Sequence, residues 1–219
     1  MSNEERGRPG LLVDWGGVMT TDVFTSFNAF CAREGLAENA VAHAFRSDPH
    51  ARALLADLET GSIAEPEFEQ GLAEILGVPA PGLIGRLMRD TRSEPRMLAA
   101  VSAAREAGVV TGLVSNSWGA GGYPRELFAD LFDGVVISGE AKVRKPSPEI
   151  YQLGAEAIGL RPDQCVFVDD LRGNLRAARE LGMAVVHHVS VDTTLAQLAE
   201  ILSIDLSVLS DTAVEEGAP

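Results

Sequence analysis

Four apolar runs of the chain are followed by polar residues whose side chains suit phosphoryl transfer. The runs cover residues 11–13, 109–114, 134–137 and 165–168, and the polar residues that come after them are Asp14, Ser115 with Asn116, Lys145, and Asp169 with Asp170. Runs of this length without polar alternation are typical of parallel strands that are buried on both faces. Because ligands bind at the carboxyl ends of such strands, we expect the polar side chains to converge on one crevice.

Together these side chains could hydrolyse a phosphate ester. A carboxylate such as Asp14 can attack phosphorus, and further carboxylates can hold a divalent cation that shields the approach of two anions. A lysine and a hydroxyl can neutralise the phosphoryl oxygens, and this neutralisation must be extensive because enzymes accelerate the reaction by up to ~10²¹-fold. Each residue also has an interpretation that involves no chemistry. The aspartates could cap helices, the lysine could be an ordinary surface residue, and Ser115 with Asn116 could form a turn.

The segments between the apolar runs indicate the fold that must position these residues. A fifth apolar run covers residues 184–189, and amphipathic helical patterns cover residues 94–107, 148–159 and 174–181. Gly182 follows the last of these patterns as a helix stop. The alternation of strands with helices predicts an α/β fold with a Rossmann-like, doubly wound parallel sheet.

Residues 22–90 interrupt this alternation, because they show helical patterns and no convincing strand. Two apolar helical faces are predicted there, one formed by Phe24, Phe27, Phe30 and Cys31 and the other by Phe68, Leu72, Ile75 and Leu76. Glycines and prolines separate the helical patterns. We therefore predict a small all-helical cap domain over residues 22–90, inserted after the first strand of a core formed by residues 1–21 and 91–219.

The composition disfavours several classes of partner. The chain has 219 residues, a formal net charge of −14 and an isoelectric point near 4.6. Such a charge repels nucleic acid and acidic lipid surfaces, so we expect neither as a partner and expect a small phosphorylated metabolite instead. Cys31 and Cys165 are the only cysteines, and no signal peptide or membrane span is readable, so we predict a cytoplasmic protein. The sequence carries no signature of the oligomeric state.

In this order and context, the polar residues resemble the four motifs of the haloacid dehalogenase superfamily. The matching residues are Asp14 for the nucleophile of motif one, Ser115 for the hydroxyl of motif two, Lys145 for motif three, and Asp169, Asp170 and Asn174 for the acidic motif four. The resemblance spans nearly the whole chain and includes a helical cap between motifs one and two. It implies a Mg²⁺-dependent phosphatase of phosphoric monoesters that forms an aspartyl-phosphate on Asp14.

The resemblance also implies a role for each residue of the site. Mg²⁺ would be bound by the Asp14 carboxylate, the backbone carbonyl of Gly16 and the Asp170 carboxylate. Asp169 would pair with Lys145 and orient it, and Asn174 would support the metal shell. The phosphoryl group would be bound by Ser115 and the backbone amide of Asn116.

One position departs from the family pattern. Where this chain has Gly16, phosphatases of the family usually carry a second aspartate that acts as general acid and base. Dehalogenases of the family carry an aromatic residue there and typically lack the paired aspartates of motif four, which this chain retains. The Asp-x-Gly form of motif one resembles a subset similar to sugar-phosphate phosphatases and to the N-terminal phosphatase domain of soluble epoxide hydrolase-like proteins.

Two alternatives to a phosphatase follow from that departure. The first is a 2-haloacid dehalogenase-type hydrolase, and the second is a catalytically weak binding or regulatory domain of the same fold. If the chain is a phosphatase, esters with poor leaving groups should be slow unless a cap residue or the substrate supplies the proton that Gly16 cannot give.

Overall fold

A five-stranded parallel sheet forms the centre of the protein. The computed structural model describes residues 9–119 and 123–209. The strands are β1 (Gly10–Val13), β2 (Thr111–Ser115), β3 (Gly134–Ile137), β4 (Cys165–Asp169) and β5 (Ala184–His187). They are hydrogen-bonded in the order β3-β2-β1-β4-β5, and every neighbouring pair is parallel. The predicted α/β class with a Rossmann-like parallel sheet is confirmed.

Both faces of the sheet are buried, which explains why its strands show no polar alternation. Successive side chains of a strand point to opposite faces. Leu11 and Val13 accordingly belong to one core cluster, whereas Leu12 belongs to the other. All three side chains are at most 1% exposed, and burial of each one stabilises the fold by about 1.5–3 kcal/mol.

Helices cover the two faces of the sheet. The helices that follow β1–β5 within the core are α6 (Pro95–Glu106), α7 (Phe128–Leu131), α8 (Ser138–Ala141), α9 (Pro148–Ala157), α10 (Arg172–Glu180) and α11 (Val191–Leu202). One core cluster contains residues of α6, α7 and α11, and the other contains residues of α9 and α10. Helices on opposite faces are the arrangement expected of a doubly wound sheet.

The first five helices after β1 pack around a hydrophobic cluster of their own. They are α1 (Val23–Glu34), α2 (Ala40–Ser47), α3 (Pro49–Glu59), α4 (Glu65–Leu76) and α5 (Leu83–Leu87). We refer to them as the five-helix unit. Phe30, Phe68 and Leu72 are fully buried at its centre. Because this cluster is separate from those of the sheet, the five-helix unit has its own core.

The segment that enters the five-helix unit and the segment that leaves it are hydrogen-bonded to each other. Thr20 and Ser93 form an isolated antiparallel bridge. The backbone N–H of Thr21 donates to the carbonyl of Arg92 at 2.8 Å, and that of Glu94 donates to the carbonyl of Met19 at 2.9 Å. These contacts lie beside the predicted boundaries at residues 21/22 and 90/91.

Trp118, in the loop after β2, connects the core to the five-helix unit. Its ring lies 5.4 Å from that of Phe27 and 5.8 Å from those of Phe45 and Phe68, measured between ring centroids. Aromatic pairs in this range are typically worth about 0.5–1.5 kcal/mol beyond the area they bury. The loop that carries motif two is therefore anchored in the five-helix unit.

Some details differ from the sequence predictions. Phe24 was expected on a buried face of α1, but it is 41% exposed and contacts Phe27 only edge-on. The short helices α5 and α8 were not predicted, because five and four residues are too few to show a helical periodicity. Within the described residues, no helix is both long and apolar enough to cross a membrane. The predictions for residues 1–8, 120–122 and 210–219 lie outside the described residues.

Candidate active site

Asp14 stands immediately after β1 at the carboxyl edge of the sheet. Its backbone N–H donates to the carbonyl of Val168 at 2.9 Å, which ties the end of β1 to that of β4. The chain then turns sharply through Gly17, whose φ of 74° favours glycine. A Cβ at this position would also lie 2.8 Å from a carboxylate oxygen of Asp170. The turn after Asp14 therefore requires glycine at position 17, a constraint that the sequence analysis did not assign.

Lys145 lies between two aspartates at the centre of the site. Its Nζ is 2.7 Å from Oδ1 of Asp14 and 2.8 Å from Oδ2 of Asp169. The lysine side chain is 1% exposed. Burial alone would lower the pKa of Lys145, but the charges of Asp14 and Asp169 hold that pKa above its usual value. The side chain is thus a permanent buried cation and not a surface lysine.

Asp169 is held as a fixed partner for this cation. It is fully buried, and the side-chain amide of Asn174 donates to both of its carboxylate oxygens, at 3.0 and 3.1 Å. The backbone N–H of Leu171 donates to Oδ1 at 2.8 Å. Tyr151 fixes Asn174 in turn, because its hydroxyl donates to the Asn174 carbonyl at 2.9 Å. With these bonds and Lys145, Asp169 has a structural role and little freedom to bind a further ligand.

Asp170 completes a group of three carboxylates. Oxygen atoms of Asp14, Asp169 and Asp170 all lie within 4.8 Å of one another. Burial raises the pKa of Asp14 to about 6, although Lys145 acts in the opposite direction. Burial and the neighbouring charges of Asp14 and Asp169 raise the pKa of Asp170 to about 7. With one lysine among three carboxylates, two negative charges lack a partner, and a divalent cation would supply the missing charge.

Ser115 and Asn116, which were predicted to bind the phosphoryl group, lie at the end of β2. Ser115 is 2% exposed, and its Oγ accepts a hydrogen bond from the Tyr123 hydroxyl at 3.0 Å. The Asn116 side chain accepts from the backbone N–H of Lys145 at 2.8 Å and donates to its carbonyl at 3.2 Å. Asn116 therefore clamps the backbone that carries Lys145, a contact that the sequence did not indicate.

Glu59 is the acidic residue near the site that the sequence analysis missed. It is the last residue of α3, in the five-helix unit, and it is 5% exposed. Its Oε2 lies 2.6 Å from Nε of Arg144 and accepts a hydrogen bond from Asn116 at 3.2 Å. A glutamate at the end of an amphipathic helix is common on surfaces, so its type and spacing carried no signal.

The structure thus brings the residues predicted from the four motifs to one edge of the sheet. Asp14, Lys145, Asp169 and Asn174 are directly connected, and Asp170 and Asn116 adjoin them. The same residues lie in the part of the chain that matches the family model for haloacid dehalogenase-like hydrolases, which covers residues 9–182. The chain belongs to this family.

Curated relatives of this haloacid dehalogenase-like hydrolase include a much larger protein and a putative phosphatase. The chain is 28% identical over 214 residues to acyl-CoA dehydrogenase family member 10 of Mus musculus, a match that covers 92% of this chain and 20% of the mouse protein. The chain therefore spans about a fifth of that relative's length. It is 31% identical over 103 residues to the putative phosphatase YhcW of Bacillus subtilis, covering 45% of this chain and 46% of that one.

Solved structures of haloacid dehalogenase-like enzymes share the fold. A family enzyme of Bacteroides thetaiotaomicron, solved in complex with magnesium and inorganic phosphate, is 25% identical with a TM-score of 0.61, over 83% of this chain and 94% of that one. A protein described as a dehalogenase has a TM-score of 0.66 over 92% of this chain and 99% of that one. At 18% identity, the second likeness concerns the fold alone.

Proposed function

We propose that this haloacid dehalogenase-like hydrolase is a Mg²⁺-dependent phosphatase of small phosphorylated metabolites, with Asp14 as the nucleophile. The observation that carries the proposal is the group of three carboxylates around one buried lysine. A site that attacked carbon without a metal would have no use for Asp170, whose charge beside Asp14 is unfavourable when no cation is bound. The putative phosphatase YhcW and the neighbour solved with magnesium and inorganic phosphate agree with this choice.

The residues present suit a hard divalent cation. We expect Asp14, the Gly16 carbonyl and Asp170 to hold Mg²⁺, because carboxylate and carbonyl oxygens are the ligands that this ion prefers. Asp169 is already occupied by Lys145 and Asn174, so it is expected to orient the lysine. Asn174 supports the same region through Asp169. When bound, the cation would lower the charge repulsion between the carboxylates and the incoming phosphate.

Each residue of the site then has its own role in phosphoryl transfer. The Asp14 carboxylate attacks phosphorus and becomes the aspartyl-phosphate. Oδ1 of Asp14 already accepts from Lys145 and from the N–H of Trp15 at 2.7 Å, which leaves Oδ2 for phosphorus. Lys145, the Ser115 hydroxyl and the backbone amide of Asn116 stabilise the charge on the phosphoryl oxygens. A water molecule then cleaves the phosphorus–oxygen bond and restores Asp14.

The five-helix unit is proposed to act as the cap of this site. Its helix α3 brings Glu59 beside Asn116, and Trp118 of the core inserts among its aromatic rings. A cap in this position excludes water and contacts the leaving group of the substrate. We also propose a cytoplasmic location, in keeping with two cysteines that are both buried and free.

A metal-supplemented panel of phosphorylated metabolites tests this function. Phosphate release should require Mg²⁺ and stop with a chelator. Halide release from a 2-haloacid, independent of metal, would instead support the dehalogenase alternative. Intact Mg²⁺ binding with phosphate release no greater than the blank across the panel would support a regulatory domain.

Mg²⁺ is expected to stabilise the protein more at pH 8 than at pH 5. The pKa values of Asp14 and Asp170, about 6 and about 7, lie above the ~3.9 of an unfolded aspartate. The folded metal-free protein therefore holds protons more tightly than the unfolded chain, and it loses stability as the pH rises from about 4 through 7. Saturation at about 100 times the dissociation constant contributes about 2.7 kcal/mol, or roughly 5–10 °C in Tm for a chain of this size.

The matched pair Asp170→Asn and Asp169→Asn identifies the ligand. Asp170→Asn should remove most of the Mg²⁺-dependent rise in Tm at pH 8 and raise the Tm of the metal-free protein. Asp169→Asn should lower the Tm of the metal-free protein, because an amide replaces the carboxylate that accepts from Lys145 and Asn174, but it should retain more of the Mg²⁺ effect. The opposite ranking of the two Mg²⁺ effects would refute the ligand assignment.

A further inference from the structure

The catalytic cycle proposed above lacks a proton donor, because Gly16 has no side chain. Its neighbours leave space for one, since among the described residues a Cβ on Gly16 would meet only Val23 Cγ2, at the ordinary contact distance of 3.4 Å. General acid and base catalysis is typically worth about 10²–10⁴-fold, so a site without any donor would be slow with poor leaving groups. A donor from another part of the chain must lie close to Ser115 and Asn116, where the phosphoryl group is expected.

Glu59 meets this positional requirement. It lies at the end of α3, and its side chain is 6% exposed. Its backbone carbonyl accepts a hydrogen bond from the hydroxyl of Ser138, at the start of α8. Together with the contacts of its side chain to Arg144 and Asn116, this bond fixes Glu59 to the start of α8 and to two loops of the core. The carboxylate is therefore placed by the fold and does not depend on a flexible surface rotamer.

The two carboxylate oxygens of Glu59 differ in their surroundings. Arg144 and Asn116 both contact Oε2. Across residues 9–119 and 123–209, Oε1 accepts no hydrogen bond. The guanidinium of Arg144 and the amide of Asn116 thus orient the group through one oxygen, and the other oxygen remains for a ligand.

Resting on the phosphatase function proposed above, we infer that Glu59 is the general acid and base of this enzyme. It takes the place of the aspartate that other family phosphatases carry at the position of Gly16. The leaving group of the substrate would lie between Asn116 and the end of α3. The cap would then supply a catalytic residue as well as a wall of the pocket.

The electrostatics of Glu59 fit this role. Burial raises the pKa of its carboxyl to about 7, against the opposing influence of Arg144 and Lys145. A group with a pKa near the working pH can both give and take a proton. Tyr123 is a poorer candidate, because burial raises its pKa to about 12 and its hydroxyl already donates to Ser115. On α8, Glu140 is paired with Arg125 and is not available to Glu59.

Glu59 changes its protonation state once in each half of the cycle. In the first half, Asp14 forms a bond to phosphorus, the bond from phosphorus to the leaving oxygen breaks, and Glu59 gives that oxygen its proton. In the second half, Glu59 takes a proton from water while the water oxygen bonds to phosphorus and the bond to Asp14 breaks. One water is consumed, an alcohol and inorganic phosphate are released, and both residues return to their starting states.

Glu59→Gln tests the inference, because an amide preserves the shape of the side chain, can still accept from Asn116 and keeps an oxygen beside Arg144. We expect single-turnover transfer from alkyl phosphates to fall by about 10²–10⁴-fold, while aryl phosphates with acidic leaving groups transfer at nearly the wild-type rate. With the aryl esters, a burst of one phenol per active site should precede slow turnover, because the second half has lost its base. Glu67→Gln, an exposed change in α4, is the matched control and should leave all rates unaltered.

The double variant Glu59→Gln with Gly16→Asp separates catalysis from positioning. A carboxylate restored near the leaving oxygen should recover a large part of the alkyl phosphate rate. A uniform loss with all esters, without a change in the dependence on leaving-group pKa, would reduce Glu59 to a positioning residue and overturn the inference. Wild-type rates in Glu59→Gln would overturn it as well. Failure of the wild-type enzyme itself to release phosphate from any ester would instead refute the proposed function.

Discussion

Asp14→Asn is expected to lower phosphate release by a factor on the order of 10⁴–10⁶, the range found when a hydrolase loses one member of its catalytic triad. An amide has nearly the shape of the carboxylate but cannot attack phosphorus. The fold should survive, because the amide oxygen can still accept from Lys145 and from the N–H of Trp15. Without metal, the variant should be at least as stable as wild type at pH 8, since the raised pKa of Asp14 shows that its charge is unfavourable there.

Two measurements connect this loss to the chemistry. Beryllium fluoride should form an aspartyl-phosphate mimic on the wild type and not on Asp14→Asn. Turnover in ¹⁸O-labelled water should place the label in inorganic phosphate and leave Asp14 unlabelled, because water attacks phosphorus. Label in the peptide that carries Asp14 would mean that water attacks the carboxyl carbon, as expected of an ester to carbon. Appreciable activity of Asp14→Asn would refute the nucleophile assignment.

Much of the core could be predicted from the sequence because a strand that is buried on both faces of the sheet consists of consecutive apolar residues. The run at residues 165–168 became β4 and the run at 11–13 became β1, each with one added residue. Polar residues at the ends of such strands must share one edge when the strands are parallel, so the proximity of Asp14 and Asp169 was predictable too. The same reasoning failed for Phe24, because helical periodicity marks a face without saying whether another helix covers it.

Other features of the site depend on contacts between distant parts of the chain. Glu59 and Asn116 are 57 positions apart in the sequence, and the docking of α3 against the core brings them together. The clamp between Asn116 and the backbone of Lys145 spans 29 positions, and a serine-asparagine pair after a strand is equally compatible with a plain turn. The need for glycine at position 17 comes from its φ of 74° and from Asp170, neither of which is visible in the local sequence.

These contacts also explain why the charges around Lys145 behave as a unit. Lys145 compensates two carboxylates at once, and its Nζ lies 5.4 Å from the centre of the Phe167 ring. A buried ion pair adds little net stability compared with an apolar replacement of both partners, but removal of one partner typically costs about 3–5 kcal/mol. The stability of the protein should therefore be most sensitive to single substitutions that leave a buried charge of this site without its partner.

Lys145→Met is accordingly expected to damage both stability and catalysis. The side chain keeps its length and apolar stem, but Asp14 and Asp169 are left facing each other without a cation. We expect a loss of about 3–5 kcal/mol at pH 8, which corresponds to a fall in Tm of roughly 10 °C or more. The loss should shrink towards pH 5, because protonation of Asp14, with its pKa raised further by the missing lysine, relieves the repulsion.

Catalysis should fail for a second reason that metal cannot repair. Saturating Mg²⁺ should restore part of the stability of Lys145→Met, but turnover should remain low because no ammonium stabilises the phosphoryl oxygens. Lys142→Met is the matched control, since Lys142 is near the site in sequence and its Nζ donates to the backbone carbonyl of Gly61, at 3.2 Å, and to no catalytic group among the described residues. The double variant Lys145→Met with Asp169→Asn should recover stability without recovering activity, because it removes the charge that lost its partner. A Lys145→Met protein with the Tm and turnover of wild type would show that the lysine neither balances the aspartates nor binds the substrate.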